Sequence, residues 1–380
     1  MAENGKQALR TFIYPLAVLS GTIVGVGFFS LPYIASKVGL WVMLGYFLIL
    51  GSIVILIHLI FGELAVRTPD YKRLPGFAKI YLGNTGKAIA VISTILGAFG
   101  AILAYLIVGG EFLRGLLSPI FGGNSAFYTL FYFVAGAFLI YSGIKIIAKI
   151  ELLSVILFFL ALIAIFFRGQ HLLNIENLFL KPNLAFLFLP YGPILFSLWG
   201  AALIPEVEEM LGARKDLLKK IIPLSIVIAI IIYLVFIYLV TGITGSQTTE
   251  SALGGLRTFL GNGIVSIALI FGVLTTFTSF IALGLTLRNV FWYDLKINKN
   301  LAFIITCFIP LALFFSGIQS FIPVISVVGG IMLAVDGILI LLMYQKIKRS
   351  FYIYPLILIF FLGIIYEIIY FVKKWPGFIF

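Results

Sequence analysis

Charge is what this chain has least of. Of its 380 residues only 11% are charged, 14 acidic against 26 basic, while 62% are hydrophobic and the mean hydropathy is +1.19. A folded soluble protein needs a charged exterior, so this composition excludes a soluble domain of that length and makes lipid the main solvent. Cysteine is nearly absent: Cys307 stands alone inside an apolar run, which excludes a disulfide framework and a thiolate metal site. The two histidines, His58 and His171, are isolated and fit no metal-ligand spacing. The chain has no HExxH, no Gly-x-Ser-x-Gly and no His/Asp cluster within its apolar runs, which argues against an intramembrane enzyme. It has no G-x-x-x-x-G-K-[ST] loop for a nucleotide-driven pump, and no cofactor is implied. The net charge of +12 sits in short connectors instead of one stripe or groove, so it speaks for membrane topology and against nucleic acid.

What the chain does have is apolar runs of membrane-crossing length. About 20 residues span a hydrocarbon core of about 30 Å. Runs between breakers predict eleven spans, at 11–38, 40–67, 86–117, 126–142, 144–167, 186–211, 218–242, 263–290, 300–316, 320–345 and 353–373. The expectation is an all-α integral membrane protein formed as one transmembrane domain over residues 1–380. The polar start, MAENGKQALR, leads straight into a full-length span, so no cleavable signal peptide is expected. With the N-terminus in the cytoplasm and the C-terminus outside, only Lys37, Arg114, Arg168, Lys181, Arg257, Lys373 and Lys374 fall on the outer side. That leaves about 19 of the 26 basic residues inside, among them Lys72, Lys145, Lys149, Lys219 and Lys348, as expected for a protein of the cell membrane.

Two spans are irregular. The first carries SGTIVGVGFFSLP, where Gly21, Gly25 and Gly27 precede Pro32; the sixth carries PILFSLWGAALIPE, where Ser197 and Gly200 precede Pro205. Glycine in a membrane helix also serves close packing. Breaks in spans one and six, with four ordinary spans between them, are instead the pattern of an inverted five-plus-five repeat. Its first half would run over about 11–167, its second over about 186–345, and an extra helix over about 353–373.

The segments GTIVGVGFFSLPYIASKVGL, PILFSLWGAALIPE and TSFIALGLTLRNVFWYD resemble amino-acid permeases of the amino acid/polyamine/organocation superfamily. They are closest to its amino acid/auxin permease and hydroxy/aromatic amino acid permease branches. The resemblance implies a LeuT-type fold with discontinuous helices 1 and 6 and an amino-acid substrate between their unwound parts. It implies secondary active transport, by ion-coupled symport and alternating access. Backbone N–H groups near Val26 and Gly27, at the positive end of a half-helix, suit a substrate carboxylate. Carbonyls near Ile23, Phe196 and Ser197 suit its ammonium. Phe28, Tyr105, Phe196 and Trp199 are candidate walls, although an aromatic in so aromatic a chain is more often plain packing.

For the coupling ion, the resemblance implies sodium held by carbonyls at Gly21 and Val24 with hydroxyls at Thr278 and Ser279. Hydroxyls in membrane helices also commonly bond a carbonyl one turn back. Relatives with a second sodium site use Asn where this chain has Phe28, and relatives with a proton-coupling Lys align it with Phe158, so neither device is expected. Asp336, with no basic residue one turn away, is the candidate for a proton. Glu63 with Arg67 and Glu111 with Arg114 read as intrahelical pairs. Glu151 and Glu367 read as snorkelling or pairing near the membrane faces, and Glu206, Glu208 and Glu209 as solvated surface in preference to a lining of the cytoplasmic exit. A channel would share the spans but has no need for the paired breaks. An amino-acid sensor on a transporter scaffold, or an uncoupled exchanger, remains the alternative function.

Overall fold

A computed structural model of the protein describes residues 12–68, 73–143 and 147–374. Among them every regular element is helical. Helix α1 (Tyr14–Ile23) ends at an irregular Val24–Gly25 pair, and a 3-10 turn (Val26–Ser30) leads into α2 (Leu31–Arg67). Gly39 kinks α2 with φ 77°, and a Cβ there would stand 2.6 Å from the Leu180 carbonyl oxygen, so both the dihedral and the space require glycine. This kink separates the first and second expected spans. Helix α3 (Leu74–Phe121) is bent at Gly83, so the connector expected before residue 86 is itself helical.

Helix α4 (Ser125–Ser142) has sharp ends for local reasons. The Asn124 side chain accepts from the Phe127 amide at 2.9 Å, and Gly143 closes the helix in the left-handed conformation. Arg288 then donates to the terminal carbonyls of Ile140 at 2.5 Å and Tyr141 at 3.3 Å. Helix α5 is Ile147–Gly169. The sixth expected span is divided into α6 (Tyr191–Leu198), a 3-10 turn (Ala201–Leu203) and α7 (Ile204–Leu211). There follow α8 (Leu218–Thr244), a short α9 (Leu253–Leu260) that was not foreseen, α10 (Asn262–Asn289) and α11 (Lys299–Phe315). The tenth expected span comprises α12 (Phe321–Val327), a π-turn (Val328–Leu333) and α13 (Ala334–Ile347); α14 (Ile353–Lys374) is last.

Seven helical stretches among the described residues are long and apolar enough to cross a membrane, and shorter apolar helices stand beside them. Large apolar side chains such as Leu48, Phe138, Ile231 and Phe361 point outward, as they do where lipid is the neighbour. In the interior α8 packs along α1 and α2, while α10 packs along α3 and α5.

The two ends of the bundle are distinct. At one end Asn174 and Asn177 bond the Gly242 carbonyl, Ser251 donates to Glu111, and Arg257 donates to the Gly115 carbonyl. At the other, Arg73 pairs with Glu206 at 3.5 Å and Lys215 with Glu208. Glu208 is buried, which corrects its reading as solvated surface; a carboxylate that deep is stable because the lysine ammonium reaches it. Lys72 and Lys145, and the side chains of Lys149, Glu151 and Phe158, lie outside the described residues.

Candidate functional site

The breaks fall where glycine punctuates the first and sixth spans. Val24 and Gly25 leave the helical region (ψ 67° and −161°), as does Trp199 (ψ 113°), with Gly200 next to it. The two breaks meet face to face. A Cβ on Gly27 would stand 2.5 Å from Ser197 Oγ and 2.7 Å from a Phe196 ring carbon, so only a glycine lets the two chains approach this closely.

Tyr233 on α8 joins the breaks. Its buried hydroxyl lies 2.7 Å from the Ile23 carbonyl oxygen and 2.7 Å from that of Ser197, so one O–H serves an acceptor on each broken element. These are two of the carbonyls expected to receive a substrate ammonium. Both have been brought to one point, as that reading requires, but they already share the tyrosine proton, and the Gly25 amide also donates to Ile23 at 2.8 Å. The Ser197 hydroxyl is turned inward, donating to Pro193 at 2.7 Å.

His58 on α2 supports the sixth-span break from its other side. Gly200 N–H donates to His58 Nε2 at 2.8 Å, and the imidazole meets the Trp199 ring edge-to-face at 5.1 Å. Accepting through Nε2 requires the neutral ring with its proton on Nδ1. Sequence reasoning dismissed His58 for want of a metal partner; the available signal was simply a lone polar ring in an apolar span. Tyr233 carried no such signal, being one of 18 tyrosines.

The candidate wall residues divide. Tyr105, Phe196 and Trp199 are half-buried, whereas Phe28 is 1% exposed and sealed among Phe29, Phe236 and Tyr233, so it is core rather than an open wall. Val26 and Gly27 are likewise covered. An open pocket of about 200 Å³ lined by Glu111, Arg114 and Arg257 lies toward the C-terminal end of α3 and includes no residue of either break.

The proposed ion ligands differ in exposure and in partners. Gly21 is exposed and Val24 half-buried, and α1 packs on α8 and α7. Thr278 Oγ1 is buried but donates back to Leu274 and Thr275 at 3.1 Å, while Ser279 is half-buried. Asp336 is buried on α13, and Ser93 of α3 donates to it at 2.5 Å. Glu63 pairs with Arg67 at 2.7 Å as expected, but Glu111 takes its hydrogen bond from Ser251 at 2.7 Å. Glu367, expected near a membrane face, is 0% exposed, because α14 turns it toward α6 and the π-turn and away from lipid.

The model of the tryptophan/tyrosine permease family matches residues 10–365. The chain belongs to that family. The permease is 25% identical to the tyrosine-specific transport system 1 of Haemophilus influenzae, over 74% of its own length and 73% of that protein's. It is 24% identical to glutamine transporter 2 of Aliivibrio fischeri, over 88% of each chain. Its fold matches the inward-facing conformation of Mhp1 with a TM-score of 0.64 at 12% identity, covering 96% of this chain and 90% of that one. The permease is therefore a multi-span helical membrane protein with a LeuT-type fold, and an amino-acid transporter.

Proposed function

We propose that the permease is a proton-coupled symporter of aromatic amino acids that works by alternating access, with the substrate held where the first and sixth spans are broken. The observation that carries this reading is Tyr233, whose one hydroxyl bonds a carbonyl from each break. An ammonium entering there supplies up to three donors to two convergent acceptors, and takes over or shares the position of a single phenolic proton. The carboxylate then meets the restarting helix at Val26 and Gly27, whose amides carry the partial positive charge of a helix N-terminus. Tyr105, Phe196 and Trp199 supply the aromatic faces that a ring-bearing side chain stacks against. The family and the tyrosine-specific relative support an aromatic substrate; the glutamine relative makes a polar amide side chain the competing choice.

Of the two ions, the proton has the better support. Asp336 is a buried carboxyl with a hydroxyl partner and no basic one among the hydrogen bonds and ion pairs described. The hydroxyl of Thr278, by contrast, is already engaged within α10. Such a carboxyl in a membrane interior is the kind of group that takes and releases protons during transport. The test is uptake of labelled tyrosine, tryptophan, phenylalanine and glutamine into proteoliposomes under imposed proton and sodium gradients applied separately. Accumulation of an aromatic amino acid under the proton gradient, weakened in Asp336→Asn, is expected. Accumulation that needs sodium and is lost in the Thr278→Ala/Ser279→Ala double variant would return the ion to Gly21, Val24, Thr278 and Ser279.

A further inference from the structure

Glu367 is buried in the last helix, far along the chain from every residue so far assigned to substrate or ion. Three elements meet at it: α6, the π-turn Val328–Leu333, and α14 itself, which pack on one another. Their backbones approach at glycines. A Cβ on Gly329 would fall 2.8 Å from the Phe196 amide and closer still to the Gly192 carbonyl, so α6 and the π-turn touch backbone to backbone. The carboxyl of Glu367 fills the cleft over that contact. A Cβ on Gly192 would stand 2.6 Å from Glu367 Oε1, and one on Gly330 would stand 2.9 Å from the same oxygen.

Neither carboxyl oxygen has a hydrogen-bond partner of good geometry, and the Gly192 amide is a donor close to the group. Two further buried polar groups near the same junction have no hydrogen-bond partner, the Tyr191 hydroxyl beside Gly363 and the hydroxyl of Ser326, a residue whose backbone lies against Gly192. Among the described residues, the ionisable side chains near enough to act on Glu367 are phenols: Tyr46 from α2, Tyr191 from α6, and Tyr366 and Tyr370 from α14. The π-turn contributes no ionisable group, and no basic side chain pairs with Glu367 among the described residues. An ionised carboxylate with no cation and no well-formed hydrogen bond is costly at this depth, whereas a carboxylic acid is a tolerable neutral group with a proton to give to a hydroxyl.

We infer that Glu367 is a second proton-binding site of the permease, and that its protonation holds α6 against the π-turn while its ionisation releases them. This rests on the symporter reading above. The proton adds from water to a carboxylate oxygen of Glu367 when the junction opens, and returns to water from the same oxygen. Because the last turn of α6 carries Phe196 and Ser197, a charge at residue 367 reaches the proposed substrate position through one short helix. A π-turn at the contact gives that packing a place to yield. Proton and substrate then bias one conformational equilibrium, and the linkage is reciprocal.

The test compares the purified parent protein with Glu367→Gln, a neutral isostere that mimics the protonated state, in proteoliposomes with labelled tyrosine. Tyrosine counterflow at equal pH should persist, because exchange needs no net proton movement. Accumulation driven by an inward proton gradient should fall by about tenfold or more, within the usual range of coupling energies. The rise of apparent tyrosine affinity at acidic pH should flatten. Gradient-driven accumulation in Glu367→Gln equal to the parent's would overturn the inference and leave the permease reading intact. Absence of counterflow for tyrosine, tryptophan, phenylalanine and glutamine in the parent would instead overturn the transport reading and the inference with it. If Glu367→Gln does not yield folded protein, the parent alone decides. Dicyclohexylcarbodiimide, which adds to protonated carboxyls in apolar surroundings, should form an adduct at Glu367 at acidic pH and less at alkaline pH, read by peptide mass spectrometry. No adduct at any pH overturns the assignment.

Discussion

At the scale of single residues, the site depends on polar side chains that hold broken backbone. A helix interrupted at bilayer depth leaves amides and carbonyls that lipid will not satisfy, so other groups in the protein must do it. Tyr233 does so for Ile23 and Ser197, and His58 does so for Gly200. Tyr233→Phe keeps the ring and removes only the hydroxyl, so it isolates this role. Leaving two buried carbonyls with less donation should cost about 1–3 kcal/mol, seen as a lower melting temperature in detergent. An unchanged melting temperature would mean that the hydroxyl does not tie the breaks together. His58→Ala should destabilise by a comparable amount, since it strands the Gly200 amide. His58→Gln, which returns an acceptor oxygen on a side chain of similar reach, should recover part of the loss. If Gln and Ala are equally destabilising, the imidazole is needed for its packing on Trp199 and not for its hydrogen bond.

At the scale of elements, the sequence was most legible where backbone chemistry punctuates the apolar pattern. Gly25 and Gly200 marked the two interruptions, and Gly39, before a long apolar run, marked the turn between the first two spans. The hidden features came from packing between elements distant in sequence. Nothing near Glu367 in the chain shows that α14 faces inward there, because its neighbours Ile365, Ile368 and Ile369 are as apolar as lipid-facing residues are, and they are exposed. The convergence of Tyr233 on two carbonyls joins residues 36 and 210 positions away, a separation that no local pattern encodes. Glycines likewise looked alike in the sequence but differ in consequence. Gly329→Ala would drive a methyl group into the Gly192 carbonyl, a backbone atom that has no rotamer to change, so folded yield should collapse. Gly21→Ala meets nothing within 4 Å and sits in the interior of α1, so it should stabilise by up to about 1 kcal/mol through helix propensity. Parallel purification and thermal melts read both variants. A well-folded Gly329→Ala protein would show that α6 and the π-turn are not locked at this contact.

At the scale of the whole molecule, the structure separates two ends of the bundle, and the distribution of charge predicts which side of the membrane each one faces. One end gathers the connector around Lys181, the C-terminus of α8 and the short helix α9, tied together by Asn177 to Gly242, Ser251 to Glu111 and Arg257 to Gly115. The opposite end gathers the Arg73–Glu206 and Lys215–Glu208 pairs and the start of α8 at Lys219. Basic residues are scarce in the connectors of the first end and crowded in those of the second, and connectors rich in Lys and Arg stay in the cytoplasm. The prediction is that Lys181 faces outside and that Lys219 and Lys348 face inside. All three are exposed, so replacement by Cys disturbs no packing, and Cys307→Ala removes the one native cysteine and gives a background without competing thiols. A membrane-impermeant maleimide added to intact cells should label position 181 alone, and permeabilised cells should add labelling at 219 and 348. Labelling of 219 or 348 from outside would invert the molecule. Alternating access would survive that inversion, but a proton gradient of the usual polarity would then drive amino acids toward the opposite end of the bundle.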